Sequence, residues 1–312
     1  MKSYDVVAIG ACYVDFNAER FPFGEDGIRV ESEVVGSEYE AVAGGSAVNF
    51  CRTLGMLGME SAFVGVCGQD VMGDALVKLL SDKSVQPFIT QKPELTTNIG
   101  FNMTNETGRH IMCVAGTANQ SLRFETVAEQ LRRALQAAKV LYLGGCFKLK
   151  GLMPDFETIV SIAKESGVLV AVDHGRVTND TSPEMMESVR GLVRGADYYL
   201  PSRDEFCAPW NVDTVMQGYD KLAAIAPRLT VVVKDGACGA FYGDGQADPV
   251  LVSAQKVDNV VDVTGAGDAC NAGVIAAVVR SRELADAVRY GCDVAAAKIS
   301  KRQIPNLSQE EV

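Results

Sequence analysis

A chain of 312 residues, 47% hydrophobic and 22% charged, has the composition of a globular protein with a substantial core, and no apolar run in it approaches the roughly 18 residues that a membrane helix needs. A formal net charge of −11 opposes non-specific binding to nucleic acid, which requires a basic face to neutralise phosphates. Nine cysteines with no C-x-x-C pair, and only two histidines, His110 and His174, argue against a disulfide framework or zinc site, exclude a multi-histidine metal site and leave acid–base chemistry to carboxylates.

Tyr4–Gly10 reads as a buried strand, with Val6, Val7, Ala8 and Ile9 before a closing glycine. The residues ahead of it lack the long apolar region of a signal peptide, so a cytoplasmic location is expected. Ser46–Leu57 places Ala47, Val48, Cys51, Leu54 and Leu57 at close to helical spacing; Ala62–Cys67 is a second strand and Val71–Leu80 a helix. Downstream, helices are predicted over Thr126–Ala138, Pro154–Ser166, Pro183–Val193 and Val212–Ala226. They alternate with strands at Val140–Leu143, Val168–Val172, Asp197–Leu200 and Thr230–Val233. Strands that read as continuous apolar runs between helices specify a parallel sheet covered on both faces, an α/β fold.

Two segments break this rhythm. Phe16–Ala43 is polar and glycine-containing, with a strand-like Arg29–Val35. Thr96–Val114 alternates as a hairpin does, with Asn105-Glu106-Thr107-Gly108 as its turn. Both are too long for simple connections. Together they predict a small antiparallel lid, at about 16–43 and 96–114, inserted into a single domain that spans 1–312. Val30, Val34, Val35, Phe101, Met103 and Met112 give that lid more apolar surface than a solvated flap needs. Closure onto the main domain or lid-to-lid packing in a homodimer is expected, the dimer favoured.

Val260-Val261-Asp262-Val263-Thr264-Gly265-Ala266-Gly267-Asp268-Ala269 predicts an apolar strand, a glycine-rich turn and a small-residue helix, Cys270–Val279. At such a junction the first helical N–H groups lack internal partners, and the helix dipole adds positive charge. Gly265, Ala266 and Gly267 could therefore donate amides to a transferring phosphoryl group. Asp268, in the same turn, could take the proton of an attacking hydroxyl. Gly44-Gly45-Ser46-Ala47-Val48-Asn49 opens a helix with a bare backbone, and Asn49 lies on the same helical face as Gly45. The amide of Asn49 suits sugar hydroxyls, and Asp15 could accept hydrogen bonds from two neighbouring ones. Taken alone, Asp15 reads as a turn residue and Asn49 as a local cap. Val6–Cys12 lacks the full G-x-G-x-x-G pattern, which sets an oxidoreductase aside. Asp173-His174-Gly175-Arg176 reads equally as a substrate contact or a solvated loop.

These two segments, Gly44-Gly45-x-x-x-Asn49 and Asp262-x-Thr264-Gly265-Ala266-Gly267-Asp268, resemble the signatures of the ribokinase-like (PfkB) carbohydrate kinases, and the resemblance runs over nearly the whole chain. It implies a doubly wound, mostly parallel α/β sheet with helices on both faces and a β-lid. It also implies phosphorylation of a sugar or nucleoside with ATP and Mg2+. Asp268 resembles the family's base, Gly265–Gly267 its anion hole, and Asp15, Gly44, Gly45 and Asn49 its substrate ligands. Lys234-Asp235-Gly236-Ala237-Cys238-Gly239 follows a strand as the nucleotide loop does, with Lys234, Gly236 and Gly239 toward ATP. Asp262 and Thr264 match positions that hold a monovalent cation such as K+ in some members. Two departures stand out. Ser202-Arg203-Asp204-Glu205 keeps the glutamate of an N-x-x-E motif tied to magnesium but has serine for asparagine, and Ser46 stands where ribokinases proper have lysine. The expected reaction is ATP-dependent phosphorylation of a hydroxymethyl group on a sugar-like molecule. The alternatives are a nucleoside kinase, its base stacked on Phe16, Phe21, Phe23 or Phe101, and a non-catalytic ligand-binding relative, which only Ser202 favours.

Overall fold

The computed structural model describes residues 4–23, 27, 33, 35–36, 38–81, 85–106, 110–178, 181–244 and 247–301. The strands are β1 (Tyr4–Gly10), β2 (Tyr13–Ala18), β3 (Glu40–Gly44), β4 (Ser61–Gly68), β5 (Val85–Lys92), β6 (Ile99–Thr104), β7 (His110–Ala115), β8 (Ala138–Gly144), β9 (Leu169–Asp173), β10 (Tyr198–Tyr199), β11 (Thr230–Lys234), β12 (Ala240–Gly243) and β13 (Val250–Val252). The helices are α1 (Ser46–Met56), α2 (Val71–Ser81), α3 (Ala118–Ser121), α4 (Phe124–Leu135), α5 (Phe156–Glu165), α6 (Pro183–Gly195), α7 (Arg203–Trp210), α8 (Val215–Ile225), α9 (Ala266–Val279) and α10 (Leu284–Ile299).

Nine strands form one sheet in the order β13-β12-β11-β10-β9-β8-β1-β4-β5. It is parallel from β5 to β11, with β12 and β13 antiparallel at one edge. Side chains alternate across β1: Val7 and Ile9 face a core built with α4, α5, α6, α7 and α8, while Val6 and Ala8 face α1, α2, α9 and α10. Both faces are covered, so a strand such as β11 reads as an unbroken valine run.

The expected strand at Val260–Val263 does not form. Residues 253–263 have neither strand nor helix, and Val260 and Val263 are 52% and 65% exposed. Among the described residues no strand pairs with them; the Val261 and Asp262 amides donate instead to the carbonyl of Ile299 at the end of α10.

Four strands form a second sheet in the order β3-β2-β6-β7. This is the lid, drawn from both interrupting segments as expected, although it begins at Tyr13 and the pair that joins the segments, β2 and β6, is parallel. The expected strand at Arg29–Val35 lies largely outside the described residues, as do Thr107 and Gly108 of the predicted turn. Asn119 ties the lid to the main sheet: its side chain accepts from the Cys12 amide at 2.9 Å and donates to the Cys12 carbonyl at 3.0 Å, while its own amide donates to Asn98. Asp70 anchors the second insertion, accepting from the Thr97 hydroxyl at 2.7 Å and amide at 2.9 Å.

Candidate active site

The main sheet's parallel strands end on one side, where open α/β sheets bind ligands. The lid begins there, because β2 follows β1 after two residues. The segment Gly44–Asn49 joins the lid to the floor of this cleft. At Gly45 the backbone has φ +106, a conformation side chains rarely adopt, and a Cβ there would lie 2.2 Å from the Ala11 carbonyl. Helix α1 can start so close to the β1–β2 junction only with glycine at this position.

On the lid side, Asp15 sits between two glycines. A Cβ on Gly44 would lie 1.7 Å from its Oδ2, and one on Gly100 2.2 Å from its Oδ1. Burial pushes the Asp15 carboxyl up to about 6, with the Arg52 guanidinium partly opposing the shift. Asn17 and Asn102 share this inner face, the Asn102 amide donating to Asn17 Oδ1 at 2.8 Å. Strand alternation puts Phe16 and Phe101 on the opposite face, where their rings stack at 5.4 Å. The expectation of a base stacked on these two rings is therefore corrected: they turn away from Asp15.

On the floor, Asp268 lies in the first turn of α9, whose cap, Gly265, has φ +72. The hydroxyl of Ser46 donates to Asp268 Oδ1 at 2.5 Å and the Asn49 amide to Oδ2 at 3.0 Å. Burial pushes the Asp268 carboxyl up to about 6; those two hydrogen bonds restrain the rise and the charge of Asp173 adds to it. A carboxyl poised there is ionised at neutral pH yet more basic than a solvated one. Of the predicted hole amides, that of Ala266 is already committed to the Val263 carbonyl at 3.1 Å, which leaves the other first-turn amides of α9 to meet an anion.

Lys234 differs from its predicted place. Its ammonium does not enter the loop that follows but turns inward, donating to Asp173 Oδ2 at 2.8 Å, to Asn271 Oδ1 at 3.0 Å and to the Leu200 carbonyl. The loop itself, with Gly236 and Gly239, makes one short turn closed by the Asp235 amide on the Gly239 carbonyl. Glu205 accepts from the Ser202 amide at 3.0 Å, so the serine that departs from the motif opens α7. Asp262 accepts from the Thr264 amide at 2.8 Å just ahead of the turn. Asp173 and His174 are not part of a solvated loop. Both are buried, and both ring nitrogens of His174 are engaged, one with the Gly175 carbonyl and the other with the Tyr199 hydroxyl.

The structure thus links Ser46, Asn49 and Asp268 through hydrogen bonds, with Gly265 capping the same turn and Asp15 held against Gly44. Sequence reasoning missed the Ser46–Asp268 bond and the Asp173–Lys234–Asn271 cluster.

The description pfkB family carbohydrate kinase matches residues 3–310. The chain is 23% identical to the ATP-dependent 6-phosphofructokinase of Thermoanaerobacterium thermosaccharolyticum, over 96% of this chain and 88% of that one. It is 26% identical to the 5-dehydro-2-deoxygluconokinase of Lacticaseibacillus casei, over 99% and 94%. Among solved structures, Arabidopsis thaliana ribokinase complexed with ribose and ATP superposes with a TM-score of 0.76 at 20% identity, covering 96% of this chain and 93% of that one.

Proposed function

Because this chain belongs to the pfkB family of carbohydrate kinases, we propose that it transfers the γ-phosphoryl group of ATP to a hydroxymethyl oxygen of a sugar or sugar-like molecule. One observation carries the proposal. The segment Gly44–Asn49 touches Asp15 at one end and Asp268 at the other, so a ligand held by the lid carboxylate is offered to the base beside the α9 turn. In this reading Asp15 accepts hydrogen bonds from adjacent hydroxyls and Asn49 orients the acceptor. Asp268 removes its proton as the oxygen attacks. The α9 N-terminus, with Gly265, Ala266 and Gly267 in its turn, faces the charge spreading over the phosphoryl oxygens.

Gly236 and Gly239 would border the nucleotide, and Glu205 is the carboxylate offered toward Mg2+, which takes one or two carboxylates and keeps phosphate and water as its other ligands. Magnesium would supply charge neutralisation along the phosphates. We place a K+ ion at Asp262 and Thr264 on the family resemblance, and the enzyme in the cytoplasm. The lid closes over the sugar and keeps out water, which would otherwise compete for the phosphoryl group.

The test is ADP release with Mg2+ over a panel of hexoses, pentoses, sugar acids, sugar phosphates and nucleosides. At least one sugar should give turnover above background. Turnover with a nucleoside alone would replace the sugar reading, and none with any acceptor would remove it.

The raised carboxyl of Asp268 sets a pH dependence. A base must be ionised, so kcat should fall below about pH 6 and level off above it. Asp15 titrates near the same pH and adds its own loss to kcat/KM. A kcat that stays flat down to about pH 4, the ordinary carboxylate value, would mean that no raised carboxylate serves as base.

We also propose a homodimer through the lid. Phe101 and Tyr39 are 43% and 72% exposed and both rings lie against Phe16 on the lid's outer face, the kind of apolar patch that marks an interface. Light scattering at micromolar protein should give twice the chain mass; a monomer with and without sugar would exclude the dimer.

A further inference from the structure

We infer that the buried cluster of Lys234, Asp173 and Asn271 is a positioning device for the reaction, fixing the α9 turn over the sheet and setting the charge that Asp268 faces. The inference rests on the reading of Asp268 as base.

Four elements meet at the cluster. Lys234 closes β11, Asp173 closes β9, Tyr142 lies in β8, and Asn271 lies in α9 three residues after Asp268, on nearly the same helical face. Asp173 Oδ2 accepts from Lys234 and also from the Asn271 amide at 2.6 Å, and its Oδ1 accepts from the Gly175 amide at 3.0 Å. The Asn271 amide also reaches the Tyr142 hydroxyl at 3.1 Å. The three donors of the ammonium have three partners, and the lysine is only 8% exposed. The ammonium lies directly beneath the turn: a Cβ on Gly267 would be 3.7 Å from Nζ.

Docking α9 does not call for such a group. Buried ion pairs contribute little net stability, and apolar residues of similar volume often replace them without loss. What an apolar cluster cannot supply is a fixed positive charge under amides that would meet a phosphoryl group. The two charges also act on Asp268 with opposite signs. Lys234 favours its ionised form and Asp173 disfavours it.

Among the groups that act on Asp268, burial and the Ser46 and Asn49 hydrogen bonds aside, Asp173 and Lys234 are the charged ones. Tyr142 and Cys146 are kept neutral by burial and by Asp173. Burial holds the His174 pKa below its ordinary value. Glu205 acts on Lys234, and with Asp173 it keeps the lysine charged against the cost of burial. From α1 come only the uncharged Ser46 and Asn49.

The experiment is a carboxyl titration of the full chain by NMR with 13Cγ-labelled aspartate, the Asp268 signal identified by its loss in Asp268→Asn. Lys234→Met should move the Asp268 midpoint up by roughly half a unit or more, and Asp173→Asn should move it down by a similar amount. A merely structural cluster would give no such opposed pair. Equal midpoints in the folded variants, or shifts of one sign, would overturn the inference. The double variant Asp173→Asn with Lys234→Met leaves no unpaired buried charge and covers the case in which a single variant fails to fold. Its kcat should fall by about tenfold or more with the KM for ATP nearly unchanged, through loss of the charge under the turn; wild-type kcat would overturn the inference. Normal turnover in Asp268→Asn would instead remove the base reading and leave the titration result standing.

Discussion

Asp268→Asn should lower turnover by about two orders of magnitude or more, the usual scale for a positioned base, while the fold and the affinity for ATP are kept. The amide has the shape of the carboxylate, so the α9 turn needs no rearrangement. It has one acceptor oxygen where Ser46 and Asn49 now use two. One of those donors loses its partner, a cost of about 1–3 kcal/mol for a group away from water. A small fall in melting temperature beside a large fall in kcat is therefore the expected pattern. Near-normal kcat would place the base elsewhere.

Gly44→Ala should have the second-largest effect, and on the sugar rather than on the chemistry. The added methyl would overlap Asp15 Oδ2, and Gly100 blocks retreat on the other side. The carboxylate must swing away from both glycines. Each hydrogen bond it makes to a sugar hydroxyl is worth roughly 1.5–3 kcal/mol, so the KM for sugar should rise about 100-fold, with a smaller change in kcat and in the KM for ATP. Steady-state kinetics with each substrate varied in turn separate these effects. An unchanged sugar KM would mean that Asp15 does not hold the acceptor.

The parts of the fold legible in the sequence are those in which burial and local pattern coincide. β1, β4, β8, β9 and β11 are apolar along their central residues because helices cover both sides. β5 was not legible: it is an edge strand, half-buried, and mixes Gln86, Thr90, Gln91 and Lys92 with apolar residues. Val260–Val263 misled for the opposite reason, since an apolar run specifies a strand only where another strand waits beside it.

The site divides in the same way. Gly45, Asn49, Gly265 and Asp268 stand in short motifs whose local geometry carries their chemistry. The bond between Ser46 and Asp268 spans 222 positions, and the Asp173–Lys234–Asn271 cluster joins three distant segments, so only the fold brings them together. A signal for the cluster did exist. Lysine closing an otherwise all-apolar strand, Val231–Val233, is a charge that burial permits only with a partner. Phe16 and Phe101 carried a signal too, since their alternation with Asp15 and Gly100 places them on the lid's other face.

The most direct test of the account is a crystal structure with the sugar found in the panel and a non-hydrolysable ATP analogue bound together. The account predicts the acceptor hydroxyl within hydrogen-bond reach of Asp268, other hydroxyls on Asp15, and the terminal phosphate at the first-turn amides of α9. A sugar bound away from Asp268, or phosphates lying elsewhere than that turn, would contradict it.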